Sequence, residues 1–139
     1  MDDEKRFERF NHLMGRWIEH CSIPRIQMSG QARSVWNCKP YYSIVRLGPN
    51  ILPYVQRAYK DDVSAFKESP TLPEQRAFDV IQLFGLEAVI TKLCGLSVPE
   101  DTHGTDYESI QRRKAYVEGW LDGYLNGAPF ARSTQRKSR

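Results

Sequence analysis

The sequence lacks a long hydrophobic run. No stretch of about 18 apolar residues occurs in its 139 residues, so no transmembrane helix is predicted. The first ten residues, MDDEKRFERF, are charged and lack the apolar core of a secretory signal. Cysteine is scarce as well, with Cys21, Cys38 and Cys94 widely spaced and odd in number, which favours reduced thiols over a disulfide framework. These absences predict a cytoplasmic protein.

The familiar catalytic and cofactor-binding motifs are also missing. The sequence contains no G-x-x-x-x-G-K-[ST], G-x-G-x-x-G, G-x-S-x-G or H-E-x-x-H pattern. Each of these patterns carries a defined chemistry, such as a phosphate cradle, an activated serine or a zinc site. Without them we expect neither an enzyme nor a bound cofactor.

Two groups of residues could still carry metal or thiol chemistry. His20 and Cys21 could join Cys38 as zinc ligands, but side chains adjacent on a helix diverge by about 100°, and Cys21 continues an apolar stripe where a free thiol packs as a small hydrophobe. Cys38 lies just before Pro40, at a predicted helix start, where a thiol pKa can be lowered. No histidine is tied to Cys38 as a base, so a structural role is favoured for both cysteines.

Two carboxylates, Glu118 and Asp122, are spaced i, i+4 on the last predicted helix. General acid–base catalysis needs two carboxyl groups in different environments within a cleft. Glu118 also follows Lys114 by four residues, as on a solvated helix face. We therefore interpret this pair as surface charge.

The basic excess of the chain is confined to its end. The net charge is +3, yet residues 128–139 hold four basic residues and no acidic one, which leaves 16 basic and 17 acidic residues in residues 1–127. We predict a single domain over residues 1–127, followed by a mobile basic C-terminal tail over residues 128–139.

Helical periodicity dominates what is present. One apolar stripe runs through the first 21 residues at steps of three and four, and it consists of Phe7, Phe10, Leu13, Met14, Trp17, Ile18 and Cys21. Further helices are predicted from Pro40 to Leu47 and over residues 50–60, with a tight αα-hairpin turning at Gly48 and Pro49. Pro53 fits only the first turn of the second helix. Residues 22–35 are predicted to be a loop, with extended structure expected near Val35 if anywhere.

The second half of the chain is predicted to contain two or three more helices. Residues 61–72 are interpreted as a loop with a helical turn around 63–67, and residues 73–94 as helix, with Gly85 a possible point of division. A capping box formed by Thr105 and Glu108 is expected to open the last helix, and Asn126-Gly127 to close it. No strand pattern competes. The predicted fold class is all-α, a compact bundle of five to six helices.

The segment PYYSIVRLGPNILPYV, residues 40–55, resembles small bacterial helical proteins of uncharacterised function. Their pattern is roughly P-x-Y-x-x-I-x-x-L-G-x-x-x-L-P, followed by I-T-x-x-x-G and a helix with Trp, Gly and Tyr. The counterparts here are Ile90-Thr91 with Gly95, and Trp120 with Gly123-Tyr124, so the resemblance covers residues 38–125. The hairpin also resembles a HEAT-type helical pair. The resemblance implies a helical fold and, by analogy, a surface for protein partners.

The leading functional hypothesis is a non-enzymatic helical module that binds a protein partner. An antitoxin, an immunity protein, a phage-borne inhibitor or a small subunit of a larger complex would fit, and the partner could also be a second copy of the chain. The aromatic candidates for contact are Trp36, Tyr41, Tyr54 and Tyr116.

The alternative hypothesis is an accessory protein that binds RNA or DNA. Its phosphate contacts would come from a basic helix face, Arg112, Arg113 and Lys114, and from the tail, Arg132, Arg136 and Lys137.

Overall fold

The computed structural model describes residues 2–99 and 104–127 of the chain, which form helices, turns and loops. Of these residues 75% are helical and none forms a strand, so the predicted all-α class is confirmed. The described residues form seven helical segments when α6 and α7, which a π-helical turn joins, are counted as one. Five of these segments have seven or more residues. The helices are α1 (Asp3–Cys21), α2 (Pro24–Gln27), α3 (Arg33–Trp36), α4 (Lys39–Arg46), α5 (Leu52–Ala58), α6 (Leu72–Val80), α7 (Leu86–Cys94) and α8 (Tyr107–Asn126).

Helix α1 is the centre of the core. Asp2 caps it by accepting a hydrogen bond from the backbone N–H of Lys5 at 2.8 Å, and acidic side chains in the first turn suit the positive end of the helix dipole. The predicted stripe is buried from Phe10 onward, with Trp17 and Ile18 fully enclosed. Because α1 packs mainly against α4 and α6, one amphipathic helix organises both halves of the bundle.

The segment predicted to be a loop, residues 22–35, contains the short helices α2 and α3 instead. The expectation of extended structure near Val35 is wrong, since Val35 is a buried residue of α3. The indole Nε1 of Trp17 donates a hydrogen bond to the Val35 carbonyl oxygen at 2.6 Å. A long-range contact therefore holds α3 in place, and four residues are too few to display helical periodicity.

The predicted turn between α4 and α5 is confirmed. Pro40 and Pro53 both lie in the first turn of their helices, and Gly48 ends the first of them with a φ of 90°, in a region that favours glycine. A 3₁₀ turn, Pro49–Ile51, leads into α5. The main packing partners of α4 are α1 and α7, whereas α5 packs on α8. The two helices thus meet at a tight turn but bury their apolar faces on different neighbours.

Residues 61–94 differ from expectation at two points. The predicted helical turn is present as the 3₁₀ turn Val63–Ala65, and a capping box between Thr71 and Glu74, not predicted, opens α6. At Gly85, the possible point of division, the chain stays helical but the type of helix changes. A π-helical turn, Ile81–Gly85, connects α6 to α7 without a break.

The last helix begins one residue later than predicted. The expected capping box of Thr105 and Glu108 is wrong, because Asp106 is the N-cap and accepts from the backbone N–H of Ser109 at 3.2 Å. Gly127 then ends α8 with a φ of 65°. The predicted tail, residues 128–139, lies outside the described residues.

Candidate functional site

A cleft of about 450 Å³ opens between α3, the π-turn, α7 and α8. This volume falls in the range of sites that take a small ligand or a partner's side chain. Ala32, Thr91 and Lys92 lie at its edge, and its walls are formed by Trp36, Tyr41, Phe84, Glu87, Ala88 and Arg113. We call this feature the Trp36 cleft.

The π-turn shapes one wall of the Trp36 cleft. Phe84, half-buried, belongs to this turn and lines the cleft. Directly after it, Gly85 lies against Trp17 so closely that a Cβ atom would sit 2.6 Å from Trp17 Cζ2. The missing side chain lets Trp17 press on the turn from the core side. π-Helical turns are rare in proteins, and those that occur are often found at functional sites. This turn therefore favours a functional role for the cleft.

Tyr41 joins the cleft to the core. Its ring lies between two tryptophans, with ring centroids 5.9 Å from Trp17 and 5.8 Å from Trp36. Its hydroxyl donates to the carbonyl oxygen of Ala88 at 3.2 Å, which ties α4 to α7, and burial raises its pKa. The half-buried Trp36 therefore leans on a fixed support while part of its ring faces the cleft.

An ion pair closes the side of the cleft nearest α8. Arg113 donates from Nε to one Glu87 carboxylate oxygen at 2.7 Å and from Nη2 to the other at 2.5 Å. Such a bidentate pair fixes the planes of both groups, and the hydrogen bonds to Glu87 raise the pKa of Arg113. The two charges compensate each other, so this wall is polar without a net charge.

The four aromatic residues predicted to contact a partner have separate fates. Trp36 and Tyr41 come together at the cleft, but Tyr41 is only 4% exposed and acts as support. Tyr54 is also buried, and its hydroxyl donates to the Asp3 carboxylate at the start of α1. Tyr116 is half-buried on α8, outside the cleft lining. Tyr41 and Tyr54 are thus core residues, each on the buried side of a short helix.

The basic helix face predicted to contact phosphates is largely engaged within the chain. Arg113 holds Glu87, Lys114 lies 3.8 Å from the Glu118 carboxylate, and Arg112 donates to the hydroxyl of Ser109 at 3.2 Å. Intrachain partners reduce what these side chains offer to a phosphate backbone. The other three predicted contacts, Arg132, Arg136 and Lys137, lie outside the described residues.

The cysteines come together without forming a reactive centre. The thiols of Cys21 and Cys38 both approach the Val35 carbonyl oxygen, at 3.5 and 3.7 Å. Burial raises the pKa of Cys21 to about 12. Burial also raises the pKa of Cys38 and outweighs the lowering by the backbone N–H of Tyr41, so the expected effect of the helix start is present but smaller. Within residues 2–99 and 104–127, no three His, Cys, Asp or Glu side chains are grouped as metal ligands.

The i, i+4 carboxylates of α8 are held by separate neighbours. Glu118 pairs with Lys114, while Asp122 accepts from the side-chain amides of Gln56 at 3.0 Å and Asn126 at 2.8 Å. Both partners of Asp122 are neutral donors. This arrangement fits the interpretation of the pair as surface polar groups that join α8 to α5.

Six of the nine residues that line the Trp36 cleft were not among the candidates predicted from the sequence. Phe84, Glu87 and Lys92 lie in a stretch that shows only ordinary helical periodicity. The one signal was Gly85, a glycine inside a helical pattern, whose cost of about 1 kcal/mol relative to alanine calls for a packing reason.

Comparisons of the chain with protein-family models, with curated proteins and with solved structures found no match. Among the helices that the structure describes, none is both long and apolar enough to cross a membrane. The site is therefore interpreted from its own geometry.

Proposed function

We propose that the chain is a non-enzymatic helical module that binds a protein partner through the Trp36 cleft. The observation that supports this most is a concave, aromatic-walled cleft with a rigid support behind it. Trp36 and Phe84 offer apolar surface there, and tryptophan is enriched among the residues that dominate binding energy at protein interfaces. The volume is large enough for one or more side chains of a partner.

The construction of the cleft also supports recognition over catalysis. Its titratable side chains are Glu87 and Arg113, which compensate each other, Lys92 at the edge, and the hydroxyl of Tyr41, which is engaged by Ala88. A general acid–base pair would need two groups with separated pKa values facing a substrate. Rigid walls lower the entropic cost of binding, which suits a surface that holds a partner.

Site-specific photo-cross-linking in the native host tests the proposal. A photoreactive amino acid at Lys92, on the edge of the cleft, should capture one stoichiometric partner. The matched control carries the same group at Glu68, which is exposed and lies in a loop away from the cleft. Capture from both positions, or from neither, would contradict a partner bound at this cleft.

A further inference from the structure

The charge distribution of the chain is uneven in a way that concerns this cleft. Residues 20–60 contain no aspartate or glutamate, and this segment includes α2, α3, α4 and α5. Its six basic residues are Arg25, Arg33, Lys39, Arg46, Arg57 and Lys60. One continuous part of the sequence therefore carries positive charge with no acidic side chain of its own.

Part of this charge lies on helices that contribute residues to the Trp36 cleft. Arg33 lies on the same short helix as Trp36, and Lys39 begins the helix that carries Tyr41; both are exposed. From the opposite wall, α7 contributes the exposed Lys92. Among the described residues, no carboxylate forms an ion pair with any of these three side chains.

The acidic group of the cleft is already compensated. Glu87 is bound by both the Nε and Nη2 groups of Arg113, so it does not balance Lys92 or the cations of α3 and α4. Lys92 thus adds an uncompensated positive charge at the edge of the cleft, next to the apolar surfaces of Trp36 and Phe84. Complementary charge at an interface edge accelerates association and excludes partners of the wrong sign.

We infer that the partner, if it binds at the proposed interface, presents an acidic segment with an apolar anchor. Its aromatic or branched aliphatic side chain lies between Trp36 and Phe84, and its flanking carboxylates are attracted by Lys92 at the edge and by Arg33 and Lys39 on the adjoining helices. The inference rests on the proposed function and adds the chemistry of the occupant. A neutral or basic segment would leave the cations at the edge uncompensated.

A nucleic acid fits the same site less well. A base could stack on Trp36, but among the described residues that line the cleft Lys92 is the one cation not held by a carboxylate, which leaves few contacts for a phosphate backbone. Arg33, Lys39 and Lys92 also lie on three different helices that contribute to the cleft, whereas non-specific nucleic-acid binding follows a track of cations along a backbone. An acidic peptide places its charges at the edge and its apolar group inside.

Selection from random peptides displayed on phage, with the full chain as bait, tests the inference. Recovered peptides should share an aromatic or branched aliphatic residue flanked by Asp or Glu. Their affinity should fall about tenfold in Lys92→Glu and at raised salt concentration. Lys60→Glu is the matched control, since Lys60 is exposed, belongs to the same acid-free segment and lies outside this cleft; it should bind as the parent does.

Two cleft variants separate failure of the inference from failure of the proposed function. Trp36→Ala removes the aromatic wall, and Thr91→Gln, at an exposed position on the edge, narrows the cleft without disturbing the core. If the recovered peptides lack acidic residues and both variants abolish their binding, the acidic chemistry is overturned and the cleft remains a protein-binding site. A selection that yields no peptide sensitive to either variant would contradict the proposed function itself. Trp36-dependent binding of a labelled oligouridylate that displaces the peptides would assign the site to nucleic acid.

Discussion

The two tryptophans on either side of Tyr41 divide the molecule into a region that holds it together and a region that is free to bind. Trp17 is completely buried, and its indole N–H is satisfied by the Val35 carbonyl oxygen at 2.6 Å. Trp36 is half-buried, and its ring forms a wall of an open cleft. The same residue type therefore supplies stability on one face of Tyr41 and accessible apolar surface on the other.

The difference lies in what surrounds each ring. Around Trp17, α1, α3 and the π-turn converge, and Gly85 gives up its side chain to admit the indole. Around Trp36, the neighbouring positions are Ala32 and Ala88, whose small side chains leave space unfilled. Close packing is characteristic of protein interiors, so the unfilled space beside Trp36 is what distinguishes a site from core.

Truncation of the two tryptophans gives the largest contrast. Trp17→Ala should lower the free energy of unfolding by about 3–5 kcal/mol, because it removes a fully buried aromatic side chain and leaves the Val35 carbonyl oxygen with only the weak thiol donors of Cys21 and Cys38. Trp36→Ala should cost about 1 kcal/mol, since part of that ring already faces water. Urea unfolding followed by circular dichroism measures both, and equal losses would remove the distinction between the regions.

The next effect comes from Gly85. Gly85→Ala would place a methyl group 2.6 Å from Trp17 Cζ2 and 2.8 Å from Cη2, and the enclosed indole cannot move aside. Overpacking of this kind costs about 1–3 kcal/mol. The matched background is Trp17→Phe, whose single ring is shorter than the indole and lacks the outer atoms Cζ2 and Cη2. In a double-mutant cycle the penalty of Gly85→Ala should shrink there, and an undiminished penalty would show that the strain arises elsewhere.

Local patterns predicted most of the long helices. The stripe of α1, the prolines that open α4 and α5 and the turn at Gly48 are all encoded within a few neighbouring residues, which is why they were legible in one sequence. The cap of α8 was misplaced by one position, because Thr105 and Asp106 are both good caps and local sequence alone does not separate them.

Features that depend on distant contacts could not be predicted. Helix α3 depends on a hydrogen bond from Trp17, and the π-turn depends on the fit of Gly85 against the same indole. Trp36 and Tyr41 of the cleft were predicted to contact a partner because they are aromatic. Their association with Phe84 and Glu87 arises only when α3 packs against the π-turn. A site assembled from separate elements leaves no single pattern in the chain.

Alkaline pH probes the buried region through its thiol. Burial raises the pKa of Cys21 from 9.0 to about 12, so the folded state keeps its proton in a range where the unfolded state loses it. The stabilisation is complete below pH 9.0 and is lost as the pH rises towards about 12. Stability should fall by about 1.4 kcal/mol per pH unit while this one-proton difference lasts.

Cys21→Ala isolates that contribution from other groups that titrate in alkali. Urea unfolding of both proteins on either side of pH 9.0 should show a shallower loss of stability in the variant. Cys94→Ala is the comparison, because burial also raises the pKa of Cys94 but this thiol is only partly buried, so its variant should change the slope less than Cys21→Ala does. Identical slopes in the parent and in Cys21→Ala would show that other groups account for the alkaline loss.

The smallest effect on stability is expected at the wall of the cleft. Arg113→Lys keeps the positive charge but exchanges a fork that reaches both Glu87 oxygens for a single ammonium. The side chains of Arg113 and Glu87 are 25% and 13% exposed. Partly solvated ion pairs add little to stability, so the free energy of unfolding should change by less than about 1 kcal/mol. The free energy of binding of the selected peptides should fall by more than the free energy of unfolding does, because the guanidinium fixes the shape of the wall. Arg112→Lys, outside the cleft, is the control, and a fall in stability without a fall in binding would show that Arg113 serves the fold alone.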